Sequence, residues 1–156
     1  MNDLSTTNFA IQTENEWSFP IDICNLYASS IHTDDTPVPE SMARAIVRTD
    51  TNQVLGVHGS KYKAIKHDDV VNSVFEAVAA SGISNDYDHK VSVFDNGAKM
   101  RGIIRFNDLV IEPSVGDIIA FQLTFFNSYD GSWAFQQSAE GLRLDCLNGM
   151  VSQYSL

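Results

Sequence analysis

The sequence predicts an α+β fold, with an antiparallel sheet built from hairpins and one main helix (about residues 67–81) packed on one face. Three observations support this fold class. Segments rich in β-branched and aromatic residues are joined by turns of hairpin length. One segment in the middle of the chain has the apolar period of an amphipathic helix. The length of 156 residues and the hydrophobic content of 44% fit a single domain with a sizeable core.

Acidic residues concentrate at the start of the chain. Residues 1–40 contain seven Asp or Glu and no Lys or Arg, and we expect them to form an acidic, partly irregular N-terminal segment. Its beginning is polar without periodicity, and Pro37 and Pro39 disfavour regular structure near its end. Residues 21–30 have the length of a short helix or strand, and periodicity does not decide between them. Residues 41–156 are expected to fold as the single α+β domain.

A first hairpin is predicted where β-branched residues cluster on both sides of a polar turn. Its strands are Ala43–Arg48 and Val54–Val57. Residues 61–65 are expected to continue the second strand after a kink at Gly59.

The helix is predicted at His67–Ser81. Asp68 and Asp69 lie in its first turn, where the positive end of the helix dipole favours carboxylates. Gly82 stands just past its end, the position that favours a left-handed residue. One apolar stripe with a period near 3.6 contains Val70, Val71, Val74, Phe75, Val78 and Ala79.

The second half of the chain has the pattern of further hairpins. Lys90–Phe94 and Met100–Phe106 flank Asp95-Asn96-Gly97, and Asn-Gly between such strands is a strong hairpin signal. Beyond it we expect a turn at 112–117, a strand at 118–126, a turn at 129–132 and two last strands at 133–137 and 141–146.

Neither a catalytic residue nor a metal or cofactor site is predicted. Metal-type ligands occur at His67–Asp69 and His32–Asp35, but we interpret these residues as parts of a helix start and of a solvated loop. Residues 127–132 have the chemistry of a turn. The nucleophile-elbow and glycine-rich nucleotide motifs are missing. Cys24 and Cys146 lack metal-type spacing, and we interpret them as reduced thiols of a cytoplasmic protein.

Basic residues share strand parity, which suggests a binding surface. If the strands concerned are neighbours, up to seven cations line one face of the sheet and track a phosphate backbone, with Tyr62 or Phe106 near them for base stacking. The alternative is an ordinary solvated face whose cations pair with acids. We expect the helix on the opposite face, because burying cations is costly. The candidate nucleic-acid-binding residues are Arg44, Arg48, Lys61, Lys63, Lys99, Arg101 and Arg105.

Several short motifs follow one another in a characteristic order: Val54–Lys63 (VLGVHGSKYK), the helix, Val115–Asp117, Asn127–Ser132 (NSYDGS) and Arg143–Met150 (RLDCLNGM). Together they resemble the phage/plasmid-like proteins of domain-of-unknown-function family 932. The resemblance covers only the N-terminal part of that family, whose members are generally longer. It implies a phage or mobile-element context, often beside replication and recombination functions, and no established reaction. A helix packed on hairpins is also loosely similar to the core of single-strand annealing proteins.

Two functions stay open. The first is a phage-type accessory protein that binds single-stranded DNA as a homo-oligomer, with the acidic residues 1–40 competing for the basic face or contacting partner proteins. The second is a protein–protein interaction module without nucleic-acid affinity. Salt-sensitive binding to oligonucleotides distinguishes them, and an enzymatic role has no positive support. We expect no membrane association, because the sequence has neither a long apolar run nor a secretory signal.

Overall fold

The computed structural model describes residues 16–28, 38–144 and 151–155. Within them the chain forms one α-helix and two antiparallel sheets, so the predicted α+β class is confirmed, with two sheets where one was expected. Sheet A has the strand order β1-β2-β3 and sheet B the order β4-β5-β6-β7-β8. The elements are β1 (Ile21–Ala28), β2 (Val38–Arg48), β3 (Gln53–Gly59), α1 (His67–Ser81), β4 (Tyr87–Phe94), β5 (Lys99–Ile111), β6 (Ile119–Ser128), β7 (Gln136–Leu144) and β8 (Val151–Ser155).

Sheet A contains the predicted first hairpin, β2 to β3. Residues 21–28, which periodicity left undecided, are strand β1 and pair along β2. Position 40, where the acidic segment was expected to end, lies inside β2. The prediction that residues 61–65 extend β3 is wrong. The strand ends at Gly59, whose carbonyl accepts a 2.9 Å hydrogen bond from the Tyr62 N–H, and this bond turns the chain out of the sheet.

Helix α1 has the predicted bounds and packs its valine stripe against sheet B. Val70, Val74 and Val78 are buried with Met100 and other core residues of β4, β5 and β6. Burial of each such side chain contributes about 1.5–3 kcal/mol relative to exposure, which keeps the helix on this face. The residue after the helix, Gly82, has φ +64°, the left-handed conformation expected there. Within the described residues, no helix combines the length and apolar character needed to cross a membrane.

The second predicted hairpin, β4 to β5, turns through a short 3₁₀ segment at Asp95–Gly97 in which all three residues have positive φ. Alternation along β5 then points Met100, Ile104 and Phe106 toward α1. The cations of β5 have the opposite parity, so the helix covers the face that they avoid, as expected. Phe106 is only 3% exposed in this core, and its suggested role in base stacking is therefore wrong.

Strand predictions were least accurate at the C-terminal end. The two strands expected at 133–137 and 141–146 are one strand, β7, which pairs with β6 along its length. Ser138, Ala139 and Glu140 interrupt the hydrophobic pattern there, but the backbone ladder to β6 continues across them. Strand β8 was not predicted, and residues 145–150, where the last strand was expected to end, lie outside the described residues.

The two sheets meet at a small core that we call the sheet junction. Ile46 and Leu55 of sheet A are buried there against Ala98 and Tyr129. Gly56 belongs to the same contact, because a Cβ at this position would overlap the carbonyl oxygen of Tyr129. A glycine is therefore needed in β3 for sheet A to approach the turn that follows β6.

Candidate nucleic-acid interface

The seven cations that the sequence brought together as one candidate site lie in three different places. Arg44 and Arg48 are on β2 in sheet A. Lys61 and Lys63 are in the loop between β3 and α1. Lys99, Arg101 and Arg105 are on β5 in sheet B. The strands concerned belong to different sheets, so the seven cations do not line a single sheet face.

The β5 cations share a face with aromatic residues of the neighbouring strands. Lys99 pairs in register with Phe94 on β4, and Arg101 pairs with Phe126 on β6. The guanidinium carbon of Arg101 lies 5.9 Å from the centre of the Phe126 ring. This distance is within the range of a cation–π contact. The contact favours conformations of the flexible Arg101 side chain in which the guanidinium lies over the Phe126 ring.

A tryptophan from the turn after β6 completes this cluster. The Trp133 ring stands edge-on to Phe126 and Phe94, with centroids 5.5 Å and 6.1 Å away. The ammonium of Lys99 is 5.7 Å from the Trp133 ring centre. Ser128 fixes the turn, because its hydroxyl donates to the Trp133 carbonyl (2.9 Å) and accepts from the Trp133 N–H (3.1 Å). We call Phe94, Lys99, Arg101, Phe126 and Trp133 the cation–aromatic face.

This sheet surface is open along β4 and, on β5, at the end near the 95–97 turn. Arg101 is exposed there, and Phe94 is 44% exposed. Toward the opposite end of the strands, Gln122 and Thr124 of β6 are buried on the same face. Arg105 is half-buried at that end, between Asp88 and Gln122 in register. A ligand therefore reaches Arg101 and Phe94 more readily than Arg105.

Two carboxylates hold Lys99 at the edge of the face. Its ammonium is 2.8 Å from an oxygen of Asp95 and 3.5 Å from an oxygen of Asp130. The hydrogen bond to Asp95 and the two negative charges raise the pKa of Lys99. Burial alone would raise the pKa of Asp130, but hydrogen bonds from Ser132 and Ser128 and the charge of Lys99 lower it below its usual value. Lys99 and Asp130 are therefore both charged at neutral pH.

Arg48 supports the sheet junction. Its guanidinium donates to both carboxylate oxygens of Asp50 (2.8 and 3.0 Å) and to the Asn96 carbonyl (3.2 Å). It also lies 4.1 Å above the centre of the Phe19 ring. The hydrogen bond to Asp50 raises the pKa of Arg48. With its donors engaged in this way, Arg48 links sheet A to the 95–97 turn and offers little to a ligand.

The loop after β3 presents an aromatic residue between two lysines. The Tyr62 ring stacks on His58 with centroids 3.8 Å apart and planes 15° from parallel. The Tyr62 hydroxyl donates to the Ser128 carbonyl at 3.3 Å, and burial together with the charge of Asp130 raises its pKa. Lys61 and Lys63 on either side are exposed. The exposed Arg44 pairs in register with His58.

A buried polar network lies beneath this loop, where α1 begins. His67 is fully buried, and its Nε2–H donates to the Gly97 carbonyl (3.0 Å). Its Nδ1 accepts from the Asn127 amide (3.0 Å), which also donates to the Ile65 carbonyl (2.9 Å). The His67 backbone N–H donates to the Tyr129 hydroxyl (2.9 Å). Burial lowers the pKa of His67 to about 4, so the imidazole is neutral at physiological pH.

These bonds leave His67 no ring nitrogen for a metal. Within the described part of the chain, no group of three His, Cys, Asp or Glu side chains has the arrangement to hold a metal ion. The second metal-type motif, residues 32–35, and Cys146 lie outside the described residues. Cys24 is a half-buried free thiol.

Sequence reasoning missed three aromatic members of the cation–aromatic face, Phe94, Phe126 and Trp133. Once β5 and β6 are paired, alternation puts Phe126 beside Arg101. Alternation places Phe126 beside Arg101 only when the register of β5 and β6 is known, and the sequence alone does not show this register. Trp133 lies in a turn, where alternation predicts no direction.

A separate apolar cleft of about 470 Å³ lies where β5 bulges away from β6. It is at the end of sheet B farthest from the 95–97 turn, and Ile83 and Ile111 at its edge are 56% and 63% exposed. Its lining is Ile83, Asp108, Leu109, Val110, Ile111, Ile119, Ala120, Phe121 and Gly141.

Comparison with known proteins gives one family. The family model described as "Domain of unknown function (DUF932)" matches residues 54–155, well over half of the chain. The matched region contains the loop after β3, helix α1, and the cation–aromatic face. Neither a curated protein nor a solved structure matches the chain.

Proposed function

The chain belongs to the family described as a domain of unknown function (DUF932), as its short motifs predicted, and we propose that it binds single-stranded DNA through the cation–aromatic face. The observation that carries this proposal is the pair of cation–aromatic contacts, Arg101 with Phe126 and Lys99 with Trp133, on one partly open sheet face. The family description contains no reaction, so the proposal rests on the chemistry of this face.

Cations beside aromatic rings suit an unpaired strand for a physical reason. Each base has a flat face that stacks on an aromatic side chain, and each stacked base contributes about 1–3 kcal/mol regardless of sequence. The phosphate that follows needs a positive charge within reach, which Arg101 supplies at the surface. The exposed ring of Phe94 offers a stacking position next to it. In a duplex the base faces are already stacked on one another, so a single strand is the better fit.

The overall charge of −10 limits this activity. Long-range attraction of a polyanion to an acidic protein is weak, so affinity depends on local contacts and falls as salt screens them. We therefore propose an accessory role, in a phage or mobile-element setting, in which several copies along one strand compensate for modest affinity per copy.

The test is fluorescence anisotropy of a labelled oligothymidylate with the full chain at low and moderate salt. We expect binding that weakens with salt, and Arg101→Ala should weaken it about tenfold, the effect of losing one charged phosphate contact and its aromatic partner. Lys90→Ala is the matched control, because Lys90 is an exposed cation on the same face, beside Ile103 and away from the aromatic rings. Equal loss in both variants would indicate bulk charge only, and no binding at low salt would reject the proposal.

A protein-interaction module is the second candidate, and the apolar cleft favours it. Exposed aliphatic residues such as Ile111 beside a concave apolar surface are typical of protein contacts. If the full chain binds no oligonucleotide at low salt, this function becomes the better supported one. An Ile111→Asp variant would then be expected to lose a partner that the parent retains, while its melting temperature stays close to that of the parent.

A further inference from the structure

We propose that a bound single strand leaves the cation–aromatic face at Trp133 and continues over the sheet junction along Lys61, Tyr62 and Lys63. This inference rests on the proposed function and adds a second subsite to it. It makes long single strands the preferred substrate class, because a short oligonucleotide fills only the first subsite.

The two subsites are joined through one residue of β6. The hydroxyl of Ser128 holds Trp133 on the cation–aromatic face through two hydrogen bonds. The carbonyl of the same residue accepts the hydroxyl of Tyr62, at 3.3 Å. Ser128 therefore contacts both the Tyr62 hydroxyl and the backbone of Trp133, and these bonds hold the loop that carries Tyr62 next to the turn that carries Trp133.

Tyr62 is held in place before any ligand arrives. Its ring is stacked on His58, and His58 Nε2 is hydrogen-bonded to the Tyr129 carbonyl at the sheet junction. The Tyr62 N–H bond to Gly59 fixes the backbone of the loop. Even so, Tyr62 remains 38% exposed. A rigid, partly exposed ring loses little side-chain entropy when a base stacks on it, which is the advantage of a preorganised site.

The charges around Tyr62 also suit a phosphate backbone. Lys61 and Lys63 are exposed, and in the part of the chain that the structure describes neither forms an ion pair. Lys99, by contrast, is already paired with Asp95 and Asp130. The carboxylate of Asp130, which lies near both subsites, shares the ammonium of Lys99 with Asp95, so Lys99 offsets only part of its negative charge. Phosphates that pass this point next meet the two unpaired lysines.

The experiment compares oligothymidylates of about 5 and about 20 nucleotides, which lie near the lower limit and above the upper limit of the roughly 4–16 nucleotides that one OB-fold covers. Anisotropy titrations use the full-length parent, Tyr62→Ala, and the double variant Lys61→Ala/Lys63→Ala. We expect each variant to bind the long strand about tenfold more weakly than the parent does. Affinity for the short strand should stay within about twofold, because the first subsite is intact. Lys66→Ala, which removes an exposed lysine from the end of the same loop, is the control.

Two further variants separate stacking from structure. Tyr62→Phe and Tyr62→Trp both keep an aromatic ring and both lose the hydrogen bond from the Tyr62 hydroxyl to Ser128. If stacking carries the second subsite, both should bind the long strand more tightly than Tyr62→Ala does. Equal losses for short and long strands, or no loss for the long strand in either the Tyr62→Ala or the double-lysine variant, would overturn the second subsite. Failure of the parent to bind either strand would reject the proposed function itself, so the two failures are distinguishable.

Discussion

The sheet junction and the cation–aromatic face use similar residue types in opposite ways. At the junction, polar groups are satisfied by one another: both ring nitrogens of His67 are hydrogen-bonded, and Arg48 is engaged with Asp50, Asn96 and the Phe19 ring. On the cation–aromatic face, Arg101 rests on one ring and is otherwise exposed to solvent. A charged or titratable residue whose partners all lie within the protein stabilises the fold. A residue that remains partly exposed to solvent can bind a ligand.

This contrast changes how the family motifs are interpreted. Two of the motif blocks that carry the family resemblance contain Gly56, His58, Asn127 and Tyr129, and all four residues lie at the sheet junction. Their contacts explain why these residue types are needed for the two sheets to meet. The residues that we propose to bind DNA on sheet B, by contrast, mostly fall outside the motif blocks.

The largest expected effect concerns His67 and the pH dependence of stability. Its pKa is about 4 in the folded protein and about 6.5 when unfolded. Between these values the unfolded chain binds a proton that the folded protein does not, so stability is complete above pH 6.5 and is lost as pH falls toward 4. The loss is about 3 kcal/mol, measured by urea unfolding across this range.

The control for this prediction is a second histidine. His67→Gln removes the titrating ring from the junction, and most of the fall between pH 6.5 and 4 should disappear. His89→Gln, at an exposed position on β4, should keep the pH dependence of the parent. A parent curve that is flat over this range would contradict the buried, neutral state of His67.

The next prediction compares two arginines directly. Arg48→Ala removes the link between sheet A and the 95–97 turn, and we expect it to lower the free energy of unfolding by about 1–2 kcal/mol. Arg101→Ala should change stability by less than about 0.5 kcal/mol, as is typical of exposed positions. Urea unfolding measures both variants. Comparable stability losses would remove the distinction between a junction arginine and a binding arginine.

The sequence predicted local structure well, because its signals are local. The helix bounds, its glycine cap and both hairpins follow from periodicity and turn residues. Sheet membership depends on contacts between distant segments, which no local pattern encodes, and this is why seven cations of matching parity separate into three places. His67 illustrates the same limit at a single residue. Its position at a helix start suggested a cap or a metal ligand, while its partners Gly97 and Asn127 are 30 and 60 residues away.

The smallest expected effect tests whether the carboxylates beside Lys99 restrain the proposed binding. Asp95→Asn removes the nearer negative charge, and asparagine tolerates the positive φ of 52° at this position. Because the ammonium of Lys99 then keeps only the more distant Asp130, it is more available to a phosphate. Affinity for a short oligothymidylate should rise about two- to fivefold at low salt, and the gain should shrink as salt screens the charges. Anisotropy titrations measure this difference.

The matched variant is Asp88→Asn, which removes one negative charge from an exposed position of β4 on the same sheet face, in register with Arg105. If net charge alone governs affinity, both variants raise it equally. If the cation–aromatic face is the binding surface, only Asp95→Asn raises affinity, since Asp88 is distant from Trp133 and Phe94. A gain in affinity for Asp88→Asn as large as that for Asp95→Asn would move the proposed site along β5 toward Arg105.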